Sequence, residues 1–201
     1  MHFTNTAALK VHSAPCFDPE VHGLLALMEI QASRLHARVD AEGAPILLLD
    51  QDRSRWDRLL IRRGLAGLAR AEKLGGAEGN YALQAAIAAC HARAAHASDT
   101  DWPRIVALYA RLAAVAPSPV VELNRAVAVS MAEGPQAGLV LVDRLRHERT
   151  LATGHLLPSV RGDLLFKLGR HTEARKEFDR AAALTGNTRE AALLRQRAAA
   201  C

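Results

Sequence analysis

From Pro19 onward the chain alternates between apolar positions at helical spacing and short polar breaks. In "PEVHGLLALMEIQASRLHARV", Val21, Leu24, Leu25, Met28 and Leu35 fall on one broad stripe, the pattern of an amphipathic helix. Residues 1–16 lack this periodicity and read as an irregular lead-in to a single domain over 17–201. "VDAEGAPILLLD" breaks the first helix at Gly43 and Pro45, and 46–49 has the character of a short extended ribbon pairing back within 38–49. A second helix is predicted from Ser54, where Ser54 and Asp57 have capping-box spacing, to the stop "GGAEG" at 75–79. "NYALQAAIAACHARAAH" gives a third. "TDWPRIVALYARLAAVAPSP" gives a fourth, with Thr100 or Asp101 as N-cap, Pro103 in the first turn, and Pro117 and Pro119 ending it. Val120, Leu123 and Val127 form the next stripe, and Gly134-Pro135 turns into "QAGLVLVDRLRHE". The last helices are predicted over 158–168, 172–184 and 188–199. Helices of about 12 to 20 residues joined by short turns predict an all-α fold of stacked antiparallel hairpins.

The stacking has a period. In "VRGDLLFKLGRHTEARKEFDRAAALTG", Gly162 is a small residue for close helix approach and Gly169 is the turn. Ala174, Phe178 and Ala181 follow on one face of the next helix. Gly134 lies 35 positions before Gly169, against the 34 of a tetratricopeptide unit. Tyr109 and Pro117 carry the aromatic-to-proline spacing of an earlier unit, so the clearest repeats span about 100–186. The segment resembles tetratricopeptide repeats, which implies a right-handed superhelix with a concave groove lined by the first helix of each hairpin. Val121, Asn124, Ala128 and Met131 are predicted to face that groove. Asn124 either bonds a bound backbone or fixes the packing of its neighbours.

Charge changes this picture little. The 26 Lys and Arg stand among 21 Asp and Glu, a net +5 that is mixed rather than massed, so nucleic acid is not the first expectation. Arg55, Arg58 and Arg62, joined by Arg63 and Arg70, make a basic stripe. It reads either as a phosphate or acidic-partner contact or, more simply, as a solvated face neutralised by Asp52 and Asp57. Cys16, Cys90 and Cys201 are odd in number and far apart, which fits a reduced cytoplasmic setting. The first 16 residues lack the layout of a signal peptide, and no apolar run approaches a membrane span, so no membrane partner is expected.

Catalytic signatures are absent: there is no phosphate-loop, dinucleotide, zinc-protease or nucleophile-elbow motif. His91 and His96 are five apart, off the spacing that puts two ligands on one helical face, and Cys90 and His91 point in different directions from adjacent positions. Cys90 reads as a small core residue. No enzyme activity, metal or cofactor is expected. "DQDRSRWD", 50–57, is the densest polar stretch. Its complementary charges at a helix start fit a structural joint, with Asp52, Arg55 and Asp57 in intrachain pairs and Arg–Asp contacts that can be bidentate. Trp56 and Trp102, each at a helix start near an Asp, are predicted anchors between hairpins with bonded indole N–H groups.

"DQDRSRWDRLLI" and "PSPVVELNRAVAV" carry a more specific likeness, supported in order by "EVHGLLALMEIQASRLHARVD", "LQAAIAACHARA", "TDWPRIVALYARL", "GPQAGLVLVDRL" and "LGRHTEARKEFDRAAALTGN". Over about residues 19–200 the chain resembles the C-terminal tetratricopeptide-type extension of bacterial extracytoplasmic-function (ECF) sigma factors. The resemblance implies a non-catalytic regulatory domain acting in transcription initiation. Its partners would be the sigma core regions, in cis in the full-length protein, or RNA polymerase. Asp50, Gln51, Asp52, Arg53, Arg55, Trp56 and Asp57 would be the family-motif cluster, fixing the joint between the first helix and the repeats or holding the sigma regions. The family's promoter-binding regions are not among these residues, so direct promoter recognition is not expected. The alternative is a stand-alone scaffold that binds a peptide or small ligand in its concave groove.

Overall fold

A computed structural model describes residues 18–201; the lead-in over 1–16, with Cys16, lies outside the described residues. Those described form ten α-helices: α1 Pro19–Ala32, α2 Arg58–Lys73, α3 Asn80–Arg93, α4 Trp102–Val115, α5 Pro119–Glu133, α6 Pro135–Arg144, α7 Arg149–Ala152, α8 Leu156–Lys167, α9 His171–Leu184 and α10 Thr188–Ala199. The fold is all-α and repeat-like. Helix α1 packs on α2 and α3, and from α4 onward each long helix packs mainly on its chain neighbours.

Local chemistry sets the helix starts. Asp18, Asp57, Asp101, Ser118 and Asn187 are N-caps whose side chains accept from backbone N–H groups of the first turn. Pro119 opens α5 rather than merely ending α4, because its missing N–H costs nothing at the first helical position. The Ser54 capping box does not form. Asp57 accepts from Leu59 N and Leu60 N at 2.8 and 3.1 Å, so α2 begins four residues later than predicted. The ribbon also shrinks. Among the described residues there is no strand, only an antiparallel bridge between Val39 and Pro45, because the chain turns again at 47–50.

Two cores form. One gathers Ile30, Trp56, Leu68, Leu83 and Ile105 with their neighbours; the other is built around Leu123, Leu139, Leu164 and Phe178. They meet at α5, which gives Ala128 to the first and Leu123 and Ala126 to the second. Val120 of the predicted stripe is exposed, and Leu123, Ala126, Ala128, Val129 and Ser130 are the buried positions. Ala174, Phe178 and Ala181 are fully buried, and Phe178 lies against Gly162, where a Cβ would come within 2.8 Å of its ring. Gly134 and Gly169 take positive φ, as turns require.

Helix α1 reverses its expectation. Its buried side is Gly23, Ala26, Glu29 and Ile30, while Val21, Leu25 and Met28 are 49, 48 and 60 % exposed and Leu24 and Leu35 are also exposed. Close backbone approach decides this. A Cβ on Gly23 would lie 2.7 Å from Ala82 N of α3. The small face therefore goes inward and the bulky one outward.

Candidate functional site: a polar clasp and a concave cavity

The stretch 50–57 lies between α1 and α2 and clasps α3. Asp52 accepts from Ser54 N at 2.9 Å and Ser54 Oγ at 2.6 Å, closing the short 3-10 turn Arg53–Arg55. That turn sends Arg53 inward to 6 % exposure. Its Nη1 donates to His91 O and Ala94 O at 2.8 and 2.9 Å, and its Nη2 to Thr100 Oγ1 at 3.1 Å. One guanidinium thus satisfies two carbonyls at the C-terminal end of α3, which stops there rather than running to 96. Gln51 is buried and its Nε2 donates to Ile46 O, tying the preceding loop down. Asp57 N donates to Ser33 O at 2.9 Å, tying α2 to the end of α1.

The expected Asp–Arg pairing is replaced by capping. Asp52 and Asp57 each turn Oδ1 to the first turn that follows them, and no ion pair forms inside 50–57. The hydrogen bonds from Ser54 hold the Asp52 carboxyl below its ordinary value, with Arg55 a minor electrostatic contributor. Asp50, Arg55 and Arg58 are exposed. Elsewhere on the basic stripe, Arg63 pairs with Glu29 at 2.7 Å and Arg70 donates to His22 Nε2 at 3.2 Å, so Asp52 and Asp57 do not neutralise it. Trp56 is buried as an anchor, but its Nε1 has no hydrogen-bond partner; instead the Arg34 and Arg53 guanidinium groups lie over its ring, 5.7 and 5.2 Å from the centroid. Trp102 packs edge-on against His91 at 5.3 Å.

Beside the clasp lie two adjoining cavities of about 480 and 540 Å³, which share Leu48, His91, Tyr109 and Asn124. Val121 and Asn124 line the first, and Asn124, Ala128 and Met131 the second. The 47–50 segment of the α1–α2 loop lines the second cavity together with residues of α8 and Arg197 of α10. Arg34, Gln31, Gln84 and Tyr109 also line the first cavity. Sequence reasoning did not single out the first three, which sit in no motif, and it took Tyr109 only as a repeat marker. Burial, then the charges of Arg53 and Arg34, push the His91 imidazole down to about 4, so it is neutral at ordinary pH. Its Nδ1 is buried without a partner. Cys90 is buried in the first core, and burial pushes its thiol up. Among the described residues no three His, Cys, Asp or Glu side chains gather to hold a metal ion, and no helix is long and apolar enough to cross a membrane.

Fold and site together define an all-α helical-repeat chain with an arginine clasp at the root of its repeats. Comparison with known proteins adds two likenesses. The model of a family of unknown function (DUF6596) matches residues 6–72, taking in α1, the clasp and nearly all of α2. An uncharacterized protein of Rhizobium meliloti (strain 1021) is 49 % identical over 178 residues, which are 89 % of this chain and 41 % of that protein. The chain therefore spans less than half the length of that relative. No solved structure matches the chain.

Proposed function

We propose that this chain is a non-catalytic protein-interaction domain of an ECF-type sigma factor, acting in transcription initiation through contacts with the sigma regions or RNA polymerase. The observation that carries the reading is the outward apolar stripe of α1, Val21, Leu24, Leu25 and Met28, on a helix whose inner side is already filled. A contiguous exposed apolar face of this kind marks an interaction surface. The likeness of "DQDRSRWDRLLI" and "PSPVVELNRAVAV" to the sigma-factor extension supports the identity of the partner, and the greater length of the Rhizobium relative leaves room for it within one polypeptide. In this reading the clasp is the rigid root that presents α1, and the repeats behind it are the support.

The test is capture of separately expressed ECF sigma regions, and of core RNA polymerase, by the immobilised chain. Retention of either is expected, with Leu25→Asp/Met28→Asp lowering it at least about tenfold, the loss of roughly 1.4 kcal/mol of binding free energy. These side chains are exposed, so the double variant should melt with the parent protein. Capture of neither, or undiminished capture by the double variant, overturns the proposal.

A further inference from the structure

The first cavity has a chemistry of its own. Its wall holds one cation, Arg34, together with the amides of Gln31, Asn80, Gln84 and Asn124, and it contains no Asp or Glu. Arg34 is half-buried, and among the described residues no carboxylate pairs with it. Its Nη2 donates to Gln31 Oε1, a neutral acceptor on the same wall. Arg53 and Arg38 stand near enough that their charges, after burial itself, draw the Arg34 guanidinium down to about 10. Arg34 thus lies half-buried on the cavity wall, feels two further guanidinium charges and has no carboxylate partner of its own among the described residues, an arrangement that an anion in the cavity would relieve.

The neutral groups are also poised for a ligand. The buried Nδ1 of His91 lacks a partner, and neither the Asn124 amide nor the Tyr109 hydroxyl hydrogen-bonds another described residue. Leu27, Ile87, Leu112 and Val121 supply the apolar remainder of the wall. A volume of about 480 Å³ lies within the ordinary range of small-ligand sites.

We infer that this cavity, between α1, α3, α4 and α5, binds a monocarboxylate with an apolar body, its carboxylate on Arg34 and its body against Leu27, Ile87 and Val121. A single guanidinium matches a single carboxylate, and such a charge-assisted pair is the strongest polar contact the wall can make. Asn124 lies on both cavities, where the first continues toward the second. The inference goes beyond the α1 docking surface and does not rest on it, because the cavity opens on different residues. The carboxylate can belong to a free small acid or to the C-terminus of a peptide; both present the same group.

The test is calorimetric titration, with amide chemical shifts mapped by NMR, using four probes. These are 3-phenylpropionate, its uncharged amide, the tripeptide acetyl-Ala-Leu-Phe with a free carboxylate, and the same tripeptide amidated. At least one acid is expected to bind and shift the amides of 84–91 and 121–124, with its amide about tenfold weaker or more. Binding of the free acid alone assigns a small ligand, and binding of the peptide acid alone assigns a peptide end. Arg34→Gln is expected to lower acid affinity about tenfold while leaving the weak amide binding unchanged. Should Arg34→Gln fail to fold, Ala88→Phe, which keeps Arg34 and adds a ring to the cavity wall, is expected to abolish binding. Equal affinity for acid and amide, no binding by any probe, or acid binding that survives Arg34→Gln or Ala88→Phe overturns the inference. Failure here with sigma or polymerase capture intact would strike this inference alone.

Discussion

Arg53 holds more of the structure together than any carboxylate of its stretch. It reaches three acceptors on two chain segments, His91 O, Ala94 O and Thr100 Oγ1, from a fixed fork. Lysine has the charge but one nitrogen, so Arg53→Lys leaves buried carbonyls unsatisfied. A loss of about 1.5–3 kcal/mol is expected in urea unfolding, the range for hydrogen bonds to a charged group. Replacing Arg55, which is exposed, should move stability by no more than about 0.5 kcal/mol in the same assay. His91 adds a pH dependence. Its folded value, about 4, lies below the ordinary 6.5, so the native state binds fewer protons than the unfolded chain. Its contribution is complete above the unfolded value and is lost as pH falls from there toward the folded one. Between pH 7 and 5 the parent protein should lose about 1–2 kcal/mol more than His91→Gln, measured by denaturant unfolding at each pH. Equal slopes for the two proteins would place the imidazole in water.

At the scale of elements, two glycines show how backbone approach decides which faces meet. Gly162 seats Phe178, so Gly162→Ala is expected to cost about 1–3 kcal/mol by overpacking and to lower the melting temperature measured by circular dichroism. This contact was legible in the sequence, because the small residue, the turn glycine and the Ala174, Phe178, Ala181 face keep repeat spacing. The same logic was hidden in α1. Its apolar residues run around most of the helix, so periodicity finds a stripe without saying which side a neighbour takes. Gly23 and Ala26 settle it by letting α2 and α3 come close. The clasp was half legible for a related reason. Mixed charge at a helix start marked a joint, but spacing does not tell an ion pair from a cap. Asp57 satisfies two orphan N–H groups at once, which a surface Asp–Arg pair worth about 0–1 kcal/mol does not displace. Arg34, Gln31 and Gln84 were not legible at all, since α1, the turn after it and α3 bring them to one wall only through the tertiary fold.

Over the whole molecule, a long-range contact ties the last helix of the stack back to its start. Arg189 Nη1 of α10 donates to Gly43 O at 2.8 Å, linking the last helix to the loop between the first two. That loop carries 47–50 along the second cavity, so the contact is expected to steady the cavity's cover. The loop also holds itself: Ala44 N donates to Asp40 Oδ1, Ile46 N to Arg38 O, and Gln51 Nε2 to Ile46 O. The two sources of order are separable. Arg189 is exposed, so Arg189→Ala should change global stability by no more than about 0.5 kcal/mol. Its local effect should be larger. Amides over 40–50 are expected to exchange hydrogen several-fold faster, roughly the loss of one hydrogen bond of about 1 kcal/mol, while those of α3 and α9 keep their protection. Gly43 offers the same cut from the other side. Its φ of +79° strains any side chain, and a Cβ there would meet the Arg189 guanidinium at 2.7 Å, so Gly43→Ala should reproduce the faster exchange. Unchanged exchange in both variants, read by mass spectrometry, would show that the loop's own turns hold it and that α10 has no part in covering the cavity.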